Sequence, residues 1–242
     1  MLHQIDSLLQ NVFGLPYLRV ARDAYIHERL AWMVRQARQV SATQVLDAGC
    51  GSGMALRYLH TYCPRVQRYV GIDLRASRLA ARYRDIPLTH DFHDVPLDDD
   101  WDVGMFDFVF CAETLEHLTD DVGALRKLAR SVSGGHIAVT MPSLPFVLEM
   151  KERVPVLGRL SATQDGGHVR YGYDVASLHE LAEAAGVRVV SVDAISPTGY
   201  WRAKTRHGRH PLLSNIAGST ASAPADDDTL RTHASIAALL AV

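Results

Sequence analysis

Cysteine is scarce in this sequence, and the few cysteines stand far apart. Cys50, Cys63 and Cys111 are too few and too scattered for a disulfide framework, and isolated thiols suit a reducing compartment. No stretch approaches the roughly 20 apolar residues that cross a bilayer, and the opening MLHQIDSLLQ lacks the basic-then-apolar pattern of a signal peptide. These absences predict a soluble, cytoplasmic protein with no membrane partner.

An excess of charge of either sign is also missing. The chain has 25 basic and 27 acidic residues and a formal net charge of −2, so no overall field attracts nucleic acid. A local exception is the basic run WRAKTRHGRH at 201–210, which could bind phosphate groups or be a solvated surface. The 242 residues, of which 48% are hydrophobic, suffice for one sizeable core.

From Gln44 onward, short apolar runs alternate with longer amphipathic segments. QVLDAG is followed by ALRYLHTY, YVGID by RASRLAARY, and FDFVFCAE by an amphipathic stretch that ends near Leu128. Strands that alternate with helices at this spacing predict a doubly wound α/β fold, with a mostly parallel sheet and helices on both faces. Ligands of such folds bind at the edge where the parallel strands end.

The remaining segments are interpreted around this domain, which we place at residues 41–205. Residues 1–40 are predicted to be an N-terminal helical cover, with a helix from Leu18 to about Gln39. The irregular insert at 142–173 is a predicted substrate lid. The segment 206–242 contains GSTASAPADDD and is predicted to be a partly disordered tail, and its ending ASIAALLAV is either a docked helix or a frayed end.

The stretch VLDAGCGSG places three glycines at alternate positions between a predicted strand and a predicted helix. Gly49, Gly51 and Gly53 permit backbone angles and close approaches that a Cβ would block. Their GxGxG spacing differs from the GxGxxG of dinucleotide binders, and no lysine stands there to meet a triphosphate. Asp47 suits a ligand with an ammonium group, and Asp73, at the end of YVGID, can accept hydrogen bonds from ribose hydroxyls. A nucleoside that bears an amino acid fits these features better than a dinucleotide.

These motifs resemble those of the class I S-adenosylmethionine-dependent methyltransferases. VLDAGCGSG resembles their first motif, YVGIDL their second-strand acid, FDFVFCAETLEHL their fourth strand and HIAVTMPSLP their fifth, in the right order over 44–194. The resemblance implies a Rossmann-like, seven-stranded, mostly parallel sheet whose last strand is antiparallel, expected near Gly199–Lys204. It also implies S-adenosyl-L-methionine as the cofactor. The residues that would bind it are Asp47, Gly49, Gly51 and Gly53 at the methionine part, Asp73 at the ribose, Asp91 and Phe92 at the adenine, and in addition Cys50, Leu74 and Ala112.

A cluster of acids and a histidine follows the fourth predicted strand. Glu113, Glu116 and His117 fall at i, i+3 and i+4 and would share one face of a helix. With His168 from the insert, they could hold a divalent cation such as Mg²⁺, which would lower the pKa of a bound hydroxyl. Without a metal, His117 is a candidate general base, with Glu116 and His168 as catalytic residues beside it. The acids could instead only cap the helix.

The ExxEH pattern with a distant histidine resembles two metal-dependent branches, the small-RNA 3′-terminal 2′-O-methyltransferases and the ubiquinone-pathway O-methyltransferases. We expect a methyltransferase that modifies a small-molecule or sugar hydroxyl. An RNA 2′-O-methyltransferase that uses the Glu-Glu-His face remains an alternative, as does a non-catalytic cofactor-binding module. The glycine spacing argues against a nicotinamide dehydrogenase.

Overall fold

One sheet dominates the computed structural model, which describes residues 17–153, 168–197, 223–231 and 233–242. Its strands are β1 Gln44–Ala48, β2 Arg68–Asp73, β3 Thr89–Asp94, β4 Phe106–Ala112, β5 Val132–Pro142, β6 Arg188–Pro197, β7 Ala223–Pro224 and β8 His233–Ala241. Their order across the sheet is β3-β2-β1-β4-β5-β8-β6-β7.

The strand directions confirm the predicted doubly wound, mostly parallel sheet. β1 pairs in parallel with β2 and with β4, β3 continues the sheet beyond β2, and β5 continues it beyond β4. β8 runs antiparallel to both of its neighbours, β5 and β6. The two-residue β7 is added to the expected seven strands at the outer side of β6.

Helices cover both faces of the sheet, as the alternation of segments predicts. The helix that the sequence predicts from Leu18 to Gln39 is confirmed. The helices are α1 Tyr17–Gln39, α2 Met54–Tyr62, α3 Ala80–Tyr83, α4 Asp121–Arg130, α5 Leu144–Arg153, α6 Val175–Ala185 and α7 Asp227–Leu230.

Alternation along each strand divides the buried residues into two clusters. One contains Leu46 of β1 together with residues of α4 and α6, such as Leu125 and Leu178. The other contains Val45, the neighbour of Leu46, together with Trp32 of α1 and residues of α2. Helices α4 and α6 therefore lie on one face of the sheet and helices α1 and α2 on the other.

The helix termini follow standard capping chemistry. The side chain of Asp120 accepts a hydrogen bond from the backbone N of Gly123 and caps the N-terminus of α4. Asp174 and Ser177 form a reciprocal capping box at α6, which ends at the left-handed Gly186. Such caps satisfy backbone groups that have no partner inside the helix, and each contributes about 1 kcal/mol.

The C-terminal strand corrects the expected end of the domain. β8 belongs to the segment 206–242 that the sequence sets apart as a tail, yet residues 235–240 are all buried between β5 and β6. A strand covered on both faces has a continuous apolar run rather than an alternating pattern, and this explains why ASIAALLAV resembles a helix or a frayed end. The placement of the last strand near Gly199–Lys204 was therefore wrong, and the domain extends past 205 to Ala241.

Several predicted segments are described only in part. Residues 199–204 and the basic run at 201–210 lie outside the described residues. The same is true of 154–167, so that the predicted lid is represented by α5 and the loop 168–173, and its role stays a prediction. Within the described ranges, no helix is long and apolar enough to cross a membrane.

Candidate active site

The glycine turn joins β1 to α2 at the edge where the parallel strands end. Gly49, Gly51 and Gly53 have φ values of 77°, 53° and 71°, in the left-handed region that residues with a Cβ rarely adopt. The backbone N of Gly49 donates to the O of Ile72 at 2.8 Å, which fixes the turn against β2. A Cβ on Gly51 would meet nothing within 4 Å. Open space therefore lies beside the middle of the turn.

Two side chains that sequence reasoning missed support this turn. A Cβ on Gly49 would lie 2.2 Å from the Oγ1 of Thr114, so the turn packs directly on the loop after β4. Thr114 Oγ1 also donates to the O of Ala112, the last residue of β4, at 2.9 Å. The hydroxyl of Tyr83 donates to the O of Ser52 at 2.7 Å. The side chains of Thr114 and Tyr83 therefore hold the backbone of the turn against the loop after β4 and against α3.

Asp73 lies where the sequence predicts it, at the end of β2 and beside the turn. Its Oδ2 accepts a hydrogen bond from the backbone N of Gly51 at 2.9 Å. A carboxylate has about four acceptor positions, so Asp73 can contact the turn and still accept from ligand hydroxyls. Leu74 follows it with 69% of its surface exposed, an apolar side chain available to a flat ring.

Asp47 is buried rather than open to the cleft. It is 3% exposed, and its Oδ2 accepts a hydrogen bond from the hydroxyl of Tyr69 at 2.7 Å. Burial raises the pKa of Asp47 to about 7, against the hydrogen bond from Tyr69, which lowers it, and together with the nearby carboxylate of Asp73. A cationic ligand near this group would favour its ionised form. Tyr69 had no sequence signal beyond its place in an apolar strand.

Asp91 and Phe92, both predicted at the adenine, lie on opposite faces of the sheet. Both lie inside β3, where neighbouring side chains point to opposite faces of the sheet. Phe92 is 8% exposed, and its ring stacks on that of Tyr83 with 5.7 Å between centroids. It is a core aromatic under the glycine turn, whereas Asp91 is exposed on the other face and Asp94 ends the strand.

Two cysteines near the turn are packing residues. Cys50 is 7% exposed, and Cys111 is fully buried in β4. The backbone N of Cys50 donates to the O of Ile72 at 3.0 Å. Burial, the largest cause, raises the pKa of both thiols far above the usual range, so neither forms a nucleophilic thiolate at neutral pH.

The loop after β4 corrects the predicted helix of acids. β4 ends at Ala112, Glu113 has a positive φ of 48°, and only a three-residue 3₁₀ turn follows, Leu115–His117. Glu113 therefore does not share a helix face with Glu116 and His117. Its Oε1 lies 3.5 Å from the Nη1 of Arg29 and accepts a hydrogen bond from the Oγ of Ser235 at 3.3 Å. The predicted shared face of three residues does not exist.

Three of the four predicted residues do come together. One possible ligand atom from each of Glu116, His117 and His168 lies within 4.8 Å of the others. The two imidazole rings meet edge to face, with centroids 4.6 Å apart, and the Nε2 of His117 lies 3.9 Å from the Oε1 of Glu116. The structure thus brings His168 to His117 across about fifty residues of sequence.

Glu116 is the buried member of this group. It is 0% exposed, and neither carboxylate oxygen has a hydrogen-bond partner among the residues that the structure describes. Burial raises the pKa of Glu116 to about 7, while the charges of Arg29 and Arg170 oppose that shift. The side chain of His117 is 40% exposed. A buried acid therefore stands behind an imidazole that solvent can reach, an arrangement that can accept a proton or bind a cation.

The chain is similar in sequence and in fold to known methyltransferases. A family model described as "Methyltransferase domain" matches residues 46–139, from β1 into β5. A Mycolicibacterium smegmatis protein described as a probable S-adenosylmethionine-dependent methyltransferase is 25% identical over 207 residues, covering 84% of this chain and 74% of the relative.

A second relative matches over a shorter region. The ubiquinone biosynthesis O-methyltransferase of Bordetella bronchiseptica is 31% identical over 112 residues, 44% of this chain and 45% of its own length. The matched region thus spans less than half of that enzyme. Among solved structures, an S-adenosylmethionine-dependent methyltransferase from Clostridium acetobutylicum aligns with a TM-score of 0.59 at 10% identity, over 99% of this chain and 98% of the other. That likeness is one of fold.

Proposed function

Since this chain belongs to the class I S-adenosylmethionine-dependent methyltransferase superfamily, we propose that it methylates a hydroxyl of a small molecule or sugar. The cofactor supplies a methyl group on a sulfonium, which is already reactive toward nucleophiles. The acceptor oxygen forms a bond to the methyl carbon as the carbon–sulfur bond breaks, and the hydroxyl proton leaves to a base. The protein therefore has to align the two molecules, exclude water and accept that proton.

The residues at the glycine turn fit the cofactor. The open space at Gly51 would admit a ligand close to the backbone, and the carboxylate of Asp73 would accept hydrogen bonds from the ribose hydroxyls. The exposed Leu74 would cover one face of the adenine. Asp47, buried behind the turn, would favour the ammonium and sulfonium charges through its field. These assignments follow from the position of each group at the ligand edge of the sheet.

The group of Glu116, His117 and His168 is the observation that carries the choice of a hydroxyl acceptor. A hydroxyl is a weak nucleophile until its proton is removed, so a base beside the methyl donor is useful for oxygen. His117 is partly exposed and takes the role of base in this proposal. Glu116 lies 3.9 Å behind it and would stabilise the imidazolium that forms. The likeness to a ubiquinone biosynthesis O-methyltransferase supports oxygen as the acceptor atom.

A divalent cation is a second candidate for activating the hydroxyl. The same three side chains offer one carboxylate and two imidazoles within 4.8 Å of one another, and Glu116 has no other partner in the described ranges. Such a set with open positions suits a transition metal, whereas Mg²⁺ prefers oxygen ligands. Glu113, placed in the ligand set on sequence grounds, lies with Arg29 and Ser235 instead and is left out of the proposal.

Calorimetric titration with S-adenosylhomocysteine tests the cofactor assignment. Asp73→Ala should weaken binding by about 1–3 kcal/mol, because buried ribose hydroxyls would lose their acceptor. Asp85→Ala is the matched control, since its side chain is 90% exposed, and it should bind as the wild type does. Equal affinity of Asp73→Ala and the wild type would remove the ribose assignment.

A second set of measurements tests the acceptor and the cation. Release of S-adenosylhomocysteine with phenolic and sugar hydroxyl acceptors should be detectable in the wild type and strongly reduced in His117→Asn. Absence of turnover with every hydroxyl class would favour a cofactor-binding module instead. Metal content and the effect of EDTA should then be compared in the wild type, Glu116→Ala and His117→Ala. Equal metal content in all three proteins would end the cation proposal.

A further inference from the structure

Residues from a distant part of the chain hold the 3₁₀ turn that carries Glu116 and His117. Because this turn is only three residues long, most of its carbonyls have no partner inside it. The backbone N of Val169 donates to the O of Glu116 at 2.8 Å, and the Nη1 of Arg170 donates to the O of Leu115 at 2.9 Å. The turn is thus fixed by contacts from outside.

The Nη1 of Arg170 is surrounded by oxygen atoms of four residues. It lies 2.9 Å from the O of Leu115, 3.1 Å from the O of Leu118 and 2.9 Å from the hydroxyl of Tyr173. It is also 2.9 Å from the Oδ2 of Asp121. One guanidinium nitrogen has two hydrogens, so these contacts are shared. We call these four oxygen atoms, from Leu115, Leu118, Asp121 and Tyr173, the cage of Arg170. A guanidinium suits them because its charge is permanent and delocalised.

Tyr173 and Asp121 complete this cage. The hydroxyl of Tyr173 accepts from Arg170 and donates to the Oδ2 of Asp121 at 2.8 Å. Burial, with a further contribution from Asp121, raises the pKa of Tyr173 far above its usual value, so the hydroxyl keeps its proton. The side chains of Arg170 and Asp121 are 27% and 17% exposed, and such partly buried pairs are screened less than surface pairs. Asp121 begins α4, which anchors the cage to the fold.

From these contacts we infer that Arg170 is a positioning residue for the base. The inference rests on the proposed function, in which His117 accepts the hydroxyl proton. Arg170 stands two residues after His168, and its side chain holds the turn that ends at His117. The same arginine therefore determines how two chain segments, about fifty residues apart, bring their imidazoles to 4.6 Å. Arg170 acts through the backbone carbonyls of Leu115 and Leu118, at the turn and just after it.

Three variants test this role without knowledge of the acceptor. Arg170→Met removes the charge and keeps much of the volume, and Arg170→Lys keeps a charge on a shorter reach. Arg130→Met, at the exposed end of α4, is the matched control. The rate of amide hydrogen exchange at Val169 measures how stable its hydrogen bond to the turn is. The nuclear Overhauser effect between the rings of His117 and His168 shows whether the two imidazoles remain in contact. Calorimetry with S-adenosylhomocysteine reports the glycine turn.

In Arg170→Met we expect the Val169 amide to exchange about tenfold faster or more, and the Overhauser effect between the imidazoles to disappear. Affinity for S-adenosylhomocysteine should stay at the wild-type value. Arg170→Lys should keep part of the Overhauser effect, and Arg130→Met all of it. When His117-dependent turnover is measured, kcat should fall in Arg170→Met while KM for the cofactor is unchanged.

Two results would overturn the inference. One is an Arg170→Met protein that keeps both the Val169 protection and the ring contact. The other is a parallel loss of cofactor affinity and of protection throughout the β-sheet, which would make Arg170 a general stabilising residue. If Arg170→Met does not fold, Tyr173→Phe decides, since unchanged Val169 exchange in it would count against the cage. Failure of the wild type to bind S-adenosylhomocysteine would contradict the proposed function and leave the ring contact measurable.

Discussion

The hydroxyl of Tyr69 donates a hydrogen bond of 2.7 Å to Asp47, and both side chains are buried directly behind the glycine turn. A buried carboxyl group with one strong partner is costly to ionise. Asp47 lies in β1, just before the turn. The carboxyl group that is costly to ionise is therefore close to the place where the proposed cofactor would bring positive charge. Without cofactor, ionisation of Asp47 would therefore lower the stability of the fold. When the cofactor binds, the same carboxylate would interact favourably with its positive charge.

This relationship predicts a pH-dependent effect of Asp47→Asn on stability. Burial raises the pKa of Asp47 to about 7 from its ordinary value of 3.8. Between these two values the unfolded chain loses a proton that the folded chain keeps, so the contribution of Asp47 to stability falls as pH rises. Asparagine still accepts the hydrogen bond from Tyr69 but does not titrate.

Urea unfolding of both proteins from pH 4 to pH 8 measures this effect. The free energy of unfolding of the wild type minus that of Asp47→Asn should decrease with rising pH across the window and level off near the folded-state pKa. Asp47→Asn should also bind S-adenosylhomocysteine more weakly, because the carboxylate near the ammonium is lost. Parallel pH profiles for the two proteins would contradict the buried-acid account.

Glu116→Gln should stabilise the ligand-free protein at pH 8. Burial raises the pKa of Glu116 to about 7 from 4.5, so its charged form opposes folding once the pH exceeds that range. We expect a gain of about 1–3 kcal/mol in the free energy of unfolding at pH 8, which vanishes near pH 4, where both states are protonated. Glu180→Gln, on the exposed side of α6, is the control and should show no gain. A loss of stability at pH 8 would show that the charge has a partner.

Leu240→Ala should strongly destabilise the protein, since β8 lies inside the sheet. Leu240 is 0% exposed, whereas Val242, two residues later, is 55% exposed. A buried leucine truncated to alanine costs about 2–5 kcal/mol, and truncation of an exposed side chain costs little. Thermal and urea unfolding of Leu240→Ala and Val242→Ala would separate the two cases. Similar small effects in both variants would contradict the central position of β8.

The sequence predicts well those features of the protein that depend on residues close together in the chain. The turn around Gly49 and the acid Asp73 follow from residue types within a few positions, and the alternation of segments specifies the parallel sheet. Phe92 was predicted at the adenine, although the alternation of side chains along a strand is also compatible with the core position that it has. The contacts of Glu113 with Arg29 and Ser235 could not be predicted, because the left-handed conformation of Glu113 itself redirects the chain after β4. The pairing of Arg170 with Asp121 depends on tertiary contact alone.

The same limit explains the error at the C-terminal strand. The run ASIAALLAV has neither the alternation of a half-buried strand nor caps that mark a helix, and its location in the sheet is decided by β5 and β6, far away in sequence. The position of β8 is specified by its pairing with two strands that are distant in sequence. The residue composition of a segment does not show which strands it will pair with.

Two glycines of the turn should respond differently to the same substitution. Gly49→Ala would place a Cβ 2.2 Å from the Oγ1 of Thr114, whereas in Gly51→Ala nothing lies within 4 Å of the new atom. Both positions have positive φ, so each variant has a backbone cost of about 1–2 kcal/mol. Gly49→Ala adds a steric clash and should be the less stable protein in urea unfolding, and Thr114→Ala should partly rescue it in a double-mutant cycle.

Gly51→Ala should instead show its main effect in binding. Its Cβ would enter the open space that we assign to the cofactor, so affinity for S-adenosylhomocysteine should fall about tenfold or more, the equivalent of 1.4 kcal/mol. Thr114→Ala cannot rescue this loss, because Thr114 contacts Gly49 and not the space at Gly51. If Gly51→Ala bound the product as tightly as the wild type does, the cofactor would have to approach from another side of the turn, and the ribose assignment to Asp73 would lose its geometric basis.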